Sequence, residues 1–168
     1  MGPVSASLPM DVPRERAFAL LLDLGNRPAF MGRFLEDFRL QRLDSAGVGA
    51  TARFRVRRRG LWMETTIAEV DEPFRILEHG RGSRLGRMPI HTAWETTELG
   101  AGTCEVKVVY WTEPSHPLDR LAAAAPGTAR WYRRSLADSL TQMARILEAG
   151  QVPDRVAVAG GDRVPGAG

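Results

Sequence analysis

Glu69, Asp71 and Glu72 place three carboxylates within four positions of the stretch EVDEPFRI (69–76). A calcium loop would need a longer ordered set of oxygen ligands and a glycine turn, and this stretch has neither. On a strand, Glu69 and Asp71 share one face, and Pro73 removes the N–H that would continue the ladder. The segment therefore reads as a solvated hairpin corner, with Phe74 or Ile76 returning to an apolar layer. His79, His91 and His116 are scattered, with no HExxH or Cys-x-x-Cys partner, so no metal site is expected. The glycines of GRGSRLG, at 80, 82 and 86, are one residue too widely spaced for GxGxxG, and no helix signal follows them. Residues 80–89 read instead as a loop. There is no GxSxG elbow and no arguable cysteine–histidine dyad, so covalent catalysis has little support and no cofactor is expected.

Basic charge has a similarly plain reading. Among 168 residues there are 23 lysines and arginines against 20 acidic residues, a formal net charge of +3. Lys107 is the single lysine, a bias that GC-rich coding explains without invoking a partner. The stripe Arg53, Arg55, Arg57, Arg58, Arg59 could hold phosphates, but no aromatic residues interleave with it as a single-strand platform requires. A solvated outer sheet face accounts for the same pattern, and nucleic-acid binding is not expected. The lone Cys104 excludes an intrachain disulfide. No apolar run approaches the roughly 20 residues of a bilayer span, and the first residues lack a secretory pattern. A cytoplasmic protein without stable membrane insertion is expected.

The elements that must position any site follow from periodicity. Val4 to Met10 has strand character. Pro13 suits the first turn of a helix carrying Phe18, Leu21 and Leu22, with Gly25 as its stop. Asn26 to Met31 reads as a second, short helix, anchored by Phe30, Phe34 and Leu35. From about residue 36 the period becomes two. In 50–59, Ala52, Phe54 and Val56 alternate with arginines, which marks a strand with one buried face. Residues 61–70 form the next strand, although Met63 and Ile67 point opposite to Trp62, Ala68 and Val70, so its inward face is ambiguous. Strands follow at 75–79, 90–99 and 103–112, the last with Cys104, Val106, Val108 and Tyr110 on one side. Pro117 to Ala125 reads as a helical piece. Thr128 can then cap a helix running to Ala149, whose apolar face carries Tyr132, Leu136, Ser139, Leu140, Met143, Ile146 and Leu147. The Gly- and Pro-rich residues 151–168 read as a disordered tail.

A meander of strands closed by one long amphipathic helix resembles the START-like (SRPBCC) helix-grip superfamily, in its polyketide cyclase/dehydrase and lipid-transport branch. The matching words are DVPRERAFALLLDLGNRPAF (11–30), GVGATARFRV (47–56), IAEVDEPFRI (67–76) and AGTCEVKVVYWTE (101–113). The resemblance implies an α+β fold over residues 1–150. In it, a curved antiparallel sheet of about seven strands wraps a long C-terminal helix, and two short helices follow the first strand. It also implies that a hydrophobic small molecule (a lipid, an isoprenoid or an aromatic polyketide) binds between sheet and helix. The enzymatic alternative is a polyketide aromatase/cyclase that promotes aldol condensation and dehydration by acid/base groups. Fold alone does not choose between them.

On this reading the pocket is lined by Phe54, Val56, Trp94, Val108, Tyr110, Ser139 and Met143. Hydroxyls on apolar faces, such as Ser139, Thr92 and Tyr110, are what a small-molecule pocket needs, although a helical serine can equally bond the preceding turn. Tyr110 and His91 are the acid/base candidates. His91 alternates with Ile90 and Thr92, so it faces solvent if those two face inward.

Overall fold

Alternation in the sequence becomes a sheet with one dry face. The computed structural model describes residues 1–57, 60–83, 88–151 and 156. Strand β1 (Val4–Met10) is followed by α1 (Arg14–Leu22), a 3₁₀ turn (Leu24–Asn26) and α2 (Arg27–Met31). Strands β2 (Leu35–Leu40), β3 (Thr51–Val56), β4 (Leu61–Asp71), β5 (Arg75–Ser83), β6 (Met88–Gly100) and β7 (Thr103–Thr112) come next. Helices α3 (Pro117–Ala124) and α4 (Thr128–Glu148) complete the order. All neighbouring strands are antiparallel, in the spatial order β1-β7-β6-β5-β4-β3-β2. This is the expected helix-grip architecture, a curled seven-stranded sheet with the long helix against its concave side.

Local chemistry explains the boundaries. Pro13 occupies the N-cap position of α1 with φ of −59°. The Asp23 carboxylate accepts from the Gly25 N–H at 2.9 Å and opens the 3₁₀ turn, so α1 stops before Gly25 rather than at it. Gly127 precedes α4 with φ of 79°, a left-handed conformation that glycine adopts without steric cost. Thr128, expected as the cap, is instead the first helical residue. The predicted apolar face of α4 is buried throughout, while Arg130, Arg134, Arg145 and Glu148 are exposed. Helix α4 packs against β1 and α2, and its buried residues join one apolar cluster with the inward faces of the strands.

The ambiguous strand resolves through a β-bulge. Met63, Thr65 and Ile67 are buried and face inward. The register of β4 on β5 shifts between Ile67 and Glu69, so the inward parity changes and Val70 pairs with the fully buried Ile76. Val70 therefore joins Met63 and Ile67 on the inner side, while Trp62 stays on the outer face. The EVDEPFRI corner is as expected: Glu69, Asp71 and Glu72 are exposed, and the Glu72–Pro73 bond is cis. Ile76 re-enters the core, whereas Phe74 stays half exposed under the Arg14 guanidinium, 4.7 Å from its ring centroid.

The loop expected over 80–89 is shorter than that. Residues 80–83 belong to β5 and 88–89 to β6, while 84–87 lie outside the described residues. Arg58 and Arg59 of the arginine stripe, and most of the expected tail, lie outside them too. The outward Arg55 pairs with Glu36 at 2.9 Å and Asp37 at 3.1 Å, and Arg53 lies 4.8 Å over the Trp62 ring. No helix among the described residues is long and apolar enough to cross a membrane.

At Gly80 the backbones of β4 and β5 run close together. A Cβ built there would lie 1.9 Å from the Glu64 carbonyl oxygen and 3.1 Å from Ile90 Cγ1. Gly80→Ala must push backbone away from backbone, so it should destabilise the protein by about 1–3 kcal/mol. Urea denaturation checks this, with a lower midpoint at an unchanged m-value as the expected result.

Candidate functional site

One rung of the concave face is polar. Ile67, Glu78, Thr92, Tyr110 and Val4 lie side by side in register across β4, β5, β6, β7 and β1. Glu78, Thr92 and Tyr110 thus stand on adjacent central strands, with apolar residues at both ends of the rung. Their neighbours along the strands, Ile76, Ile90, Trp94 and Val108, are buried and apolar.

Glu78 cannot remain a bare carboxylate in such surroundings, because an unpaired buried charge is very costly. Three donors converge on it. Trp94 Nε1 donates to Oε1 at 2.8 Å, Thr65 Oγ1 donates to Oε2 at 3.0 Å, and Arg27 Nη2 from α2 donates to Oε1. Arg27 Nη2 also donates to the Leu21 carbonyl at 3.0 Å, which ties the end of α1 to the same point. The guanidinium carbon lies 4.5 Å over the Trp94 ring and 5.7 Å from the Phe30 ring centroid. Burial pulls the pKa of Arg27 down from its ordinary value, while the Glu78 and Asp23 carboxylates act in the opposite sense. A guanidinium nonetheless stays protonated inside proteins, so the pair is ionic. Arg27 Nε and Nη1 are buried and have no hydrogen-bond partner among the described residues.

Thr92 is the exception to tight packing on this rung. It stays half-buried although it lies mid-sheet, faces inward, and is flanked by buried Glu78 and Tyr110. The helices over the concave face therefore leave accessible space beside it.

An open surface groove lies between the α2 end and α4. It encloses about 610 Å³ between Gly32, Arg33, Phe34, Arg57, Trp131, Arg134, Ser135 and Asp138. Its floor continues inward through ring contacts. Phe34 lies 5.5 Å from Trp131 and 5.9 Å from Tyr132, and Tyr132 stacks on Tyr110 at 4.9 Å. An adjoining depression of about 380 Å³ includes Phe30, which meets Trp94 edge-on at 6.2 Å.

The expected pocket residues Phe54, Val56, Trp94, Val108, Tyr110, Ser139 and Met143 are all buried in the interior. Tyr110 stands on the polar rung with Trp94 beside the rung on β6, and Met63, paired with Phe54, has its sulfur 4.0 Å from the Tyr110 oxygen. Ser139 Oγ donates to the Ser135 carbonyl at 2.8 Å, the bond to the preceding turn that a helical serine commonly makes. His91 is on the other side of the sheet. Ile90 and Thr92 face inward, so His91 stacks outside on Trp111 at 4.9 Å and meets His79 edge-on. Its Nε2 lies 3.3 Å from a Glu113 carboxylate oxygen. It shares no face with Tyr110. Cys104 is fully buried, and burial raises its thiol pKa, which disfavours the reactive thiolate. No cluster of three or more His, Cys, Asp or Glu side chains converges among the described residues.

Arg27 and Glu78 escaped sequence reasoning. The available signal was Trp94, an inward indole whose N–H needs an acceptor inside the apolar layer.

Comparison with known proteins agrees with this architecture. The family described as polyketide cyclase / dehydrase and lipid transport matches residues 1–148. Among solved structures, protein CV1439 from Chromobacterium violaceum is similar, with 20% identity and a TM-score of 0.62, covering 87% of this chain and 96% of that one. TTHA0849 from Thermus thermophilus has 14% identity and a TM-score of 0.65, covering 90% of this chain and all of that one. DynU16, from the dynemicin biosynthetic locus, has 20% identity and a TM-score of 0.57. The match covers 92% of this chain and 49% of DynU16, so the chain spans about half of that protein. A search of curated proteins finds no match.

The ion pair generates its own test. Glu78→Leu leaves a buried guanidinium unpaired and should cost about 3–5 kcal/mol. Adding Arg27→Met removes that charge and should recover most of the loss. A double-mutant cycle by urea denaturation measures both, and additive effects would show that the two side chains do not act as a pair.

Proposed function

The chain belongs to the polyketide cyclase / dehydrase and lipid-transport family, and we propose that it binds a hydrophobic small molecule between the sheet and α4. The molecule is a lipid, an isoprenoid or an aromatic polyketide-like compound. The observation that carries this reading is the half-buried Thr92 in the middle of a concave face whose neighbours are buried. The aromatic-floored groove between α2 and α4 supports it, with a volume in the range of small-molecule sites. Binding draws its strength from apolar burial, about 25 cal/mol per Å² before ordering costs. The few polar groups on the wall orient the ligand. The chain is read as one ligand-binding unit over residues 1–150.

A second reading, aromatase/cyclase catalysis, finds support in Tyr110 standing on the polar rung beside Thr92. It would hold a reactive chain over the rung and use the phenol as the proton-transfer group. His91, on the outer face, is poorly placed to assist. Tyr110→Phe separates the readings: it should leave binding unchanged, and abolished turnover of a polyketide substrate would favour the enzyme.

Thr92→Leu should fill the space beside the rung. The expected outcome is an unchanged or higher unfolding temperature together with loss of ligand-induced stabilisation. For a ligand present at 100 times its Kd the wild-type protein should gain about 2.7 kcal/mol. Native mass spectrometry of the purified protein and a thermal-shift panel of lipids, isoprenoids and aromatic ketones provide the measurement. No co-purified compound and no shift with any class would refute the binding reading.

A further inference from the structure

The geometry points to Arg27 as the polar anchor of the ligand, with its Nε–H and Nη1–H groups receiving a neutral carbonyl oxygen. The inference rests on the proposal that an apolar molecule enters between sheet and α4, and it specifies what that molecule must carry. A guanidinium has five N–H donors. Nη2 accounts for two, one to Glu78 and one to the Leu21 carbonyl. Nε and Nη1 hold the other three, and both atoms are buried without a partner among the described residues. Buried donors of a charged group are rarely left unmet, so an acceptor belongs there.

The surroundings select the kind of acceptor. Glu78 already balances the charge of Arg27. A ligand carboxylate at Nη1 would bring a second anion close to Glu78 in a region of low dielectric, which is unfavourable. A ketone, quinone or ester oxygen accepts the same hydrogen bonds without adding charge. The rings of Trp94 and Phe30, 4.5 and 5.7 Å from the guanidinium carbon, make its surroundings apolar. Phe30, in contact with the guanidinium, also lines the depression on the α2–α4 surface. Thr92, with its accessible surface, adjoins Glu78 on the neighbouring strand.

Three naphthalenes of similar size test the claim by titration against the full chain. They are 2-acetylnaphthalene, 2-isopropylnaphthalene and 2-naphthoate. The ketone should bind about tenfold more tightly than the hydrocarbon, and the carboxylate no more tightly than the hydrocarbon. The Arg27→Met, Glu78→Leu double variant should lose the ketone preference, binding ketone and hydrocarbon with equal affinity. In the wild-type protein, which needs no variant to fold, the Arg27 Nε–H resonance should shift with the ketone and stay put with the hydrocarbon. Equal binding of ketone and hydrocarbon, an unmoved resonance, or a preference surviving in the double variant would overturn the anchor while leaving hydrophobic binding intact. Tighter binding of naphthoate would overturn the neutral-oxygen assignment. Failure of all three compounds to bind would count against the hydrophobic pocket itself, and the anchor would fall with it.

Discussion

A carboxylate in the middle of an apolar sheet face obliges the surrounding structure to supply donors, and Glu78 is that carboxylate. Its two oxygens gather Thr65 from β4, Trp94 from β6 and Arg27 from α2. Through Arg27 the same point reaches the last turn of α1. One buried group thus fixes the approach of two helices to three strands. Such a pair is not a strong source of stability, since the desolvation of two ions offsets much of their attraction. Its value is geometric: sliding α2 along the sheet would leave two opposite charges unmatched in an apolar layer.

Curvature makes room for this arrangement. The bulge between Ile67 and Glu69 switches the parity of β4, and Gly80 lets β4 and β5 approach more closely than any side chain would permit. Helix α4 then covers the concave side with Tyr132, Leu136, Leu140 and Met143, all buried. Coverage leaves Thr92 half-buried in the middle of that face. The two faces of the sheet consequently differ in kind. The outer one carries arginine–carboxylate pairs and the His79–His91–Trp111 group, and the inner one carries the Arg27–Glu78 ion pair and the phenol of Tyr110.

Most of the fold was legible in the chain because period-two and helical patterns report burial directly. Ala52, Phe54 and Val56 against their arginines, and Cys104 to Tyr110 on one side of β7, announced their faces. So did the apolar stripe of α4 and the EVDEPFRI corner. The β4 strand was not legible, since a bulge reverses parity without leaving a mark in composition. Trp94 and Tyr110 could be placed on the inner side from their faces alone. His91 could only be stated conditionally, and the inward turn of Ile90 and Thr92 put it outside.

What the sequence by itself determined is therefore the order of elements, the faces of the regular strands and the apolar character of the interior, because these depend on residues near one another in the chain. What only the tertiary structure decided is which polar residues meet. Arg27 and Glu78 lie 51 positions apart, in segments whose local pattern flags neither of them. Their pairing arises from the crossing of α2 over a curved sheet, and no local periodicity encodes that crossing. The chemistry of the interior depends on that crossing, because a buried charge takes its character from its partner.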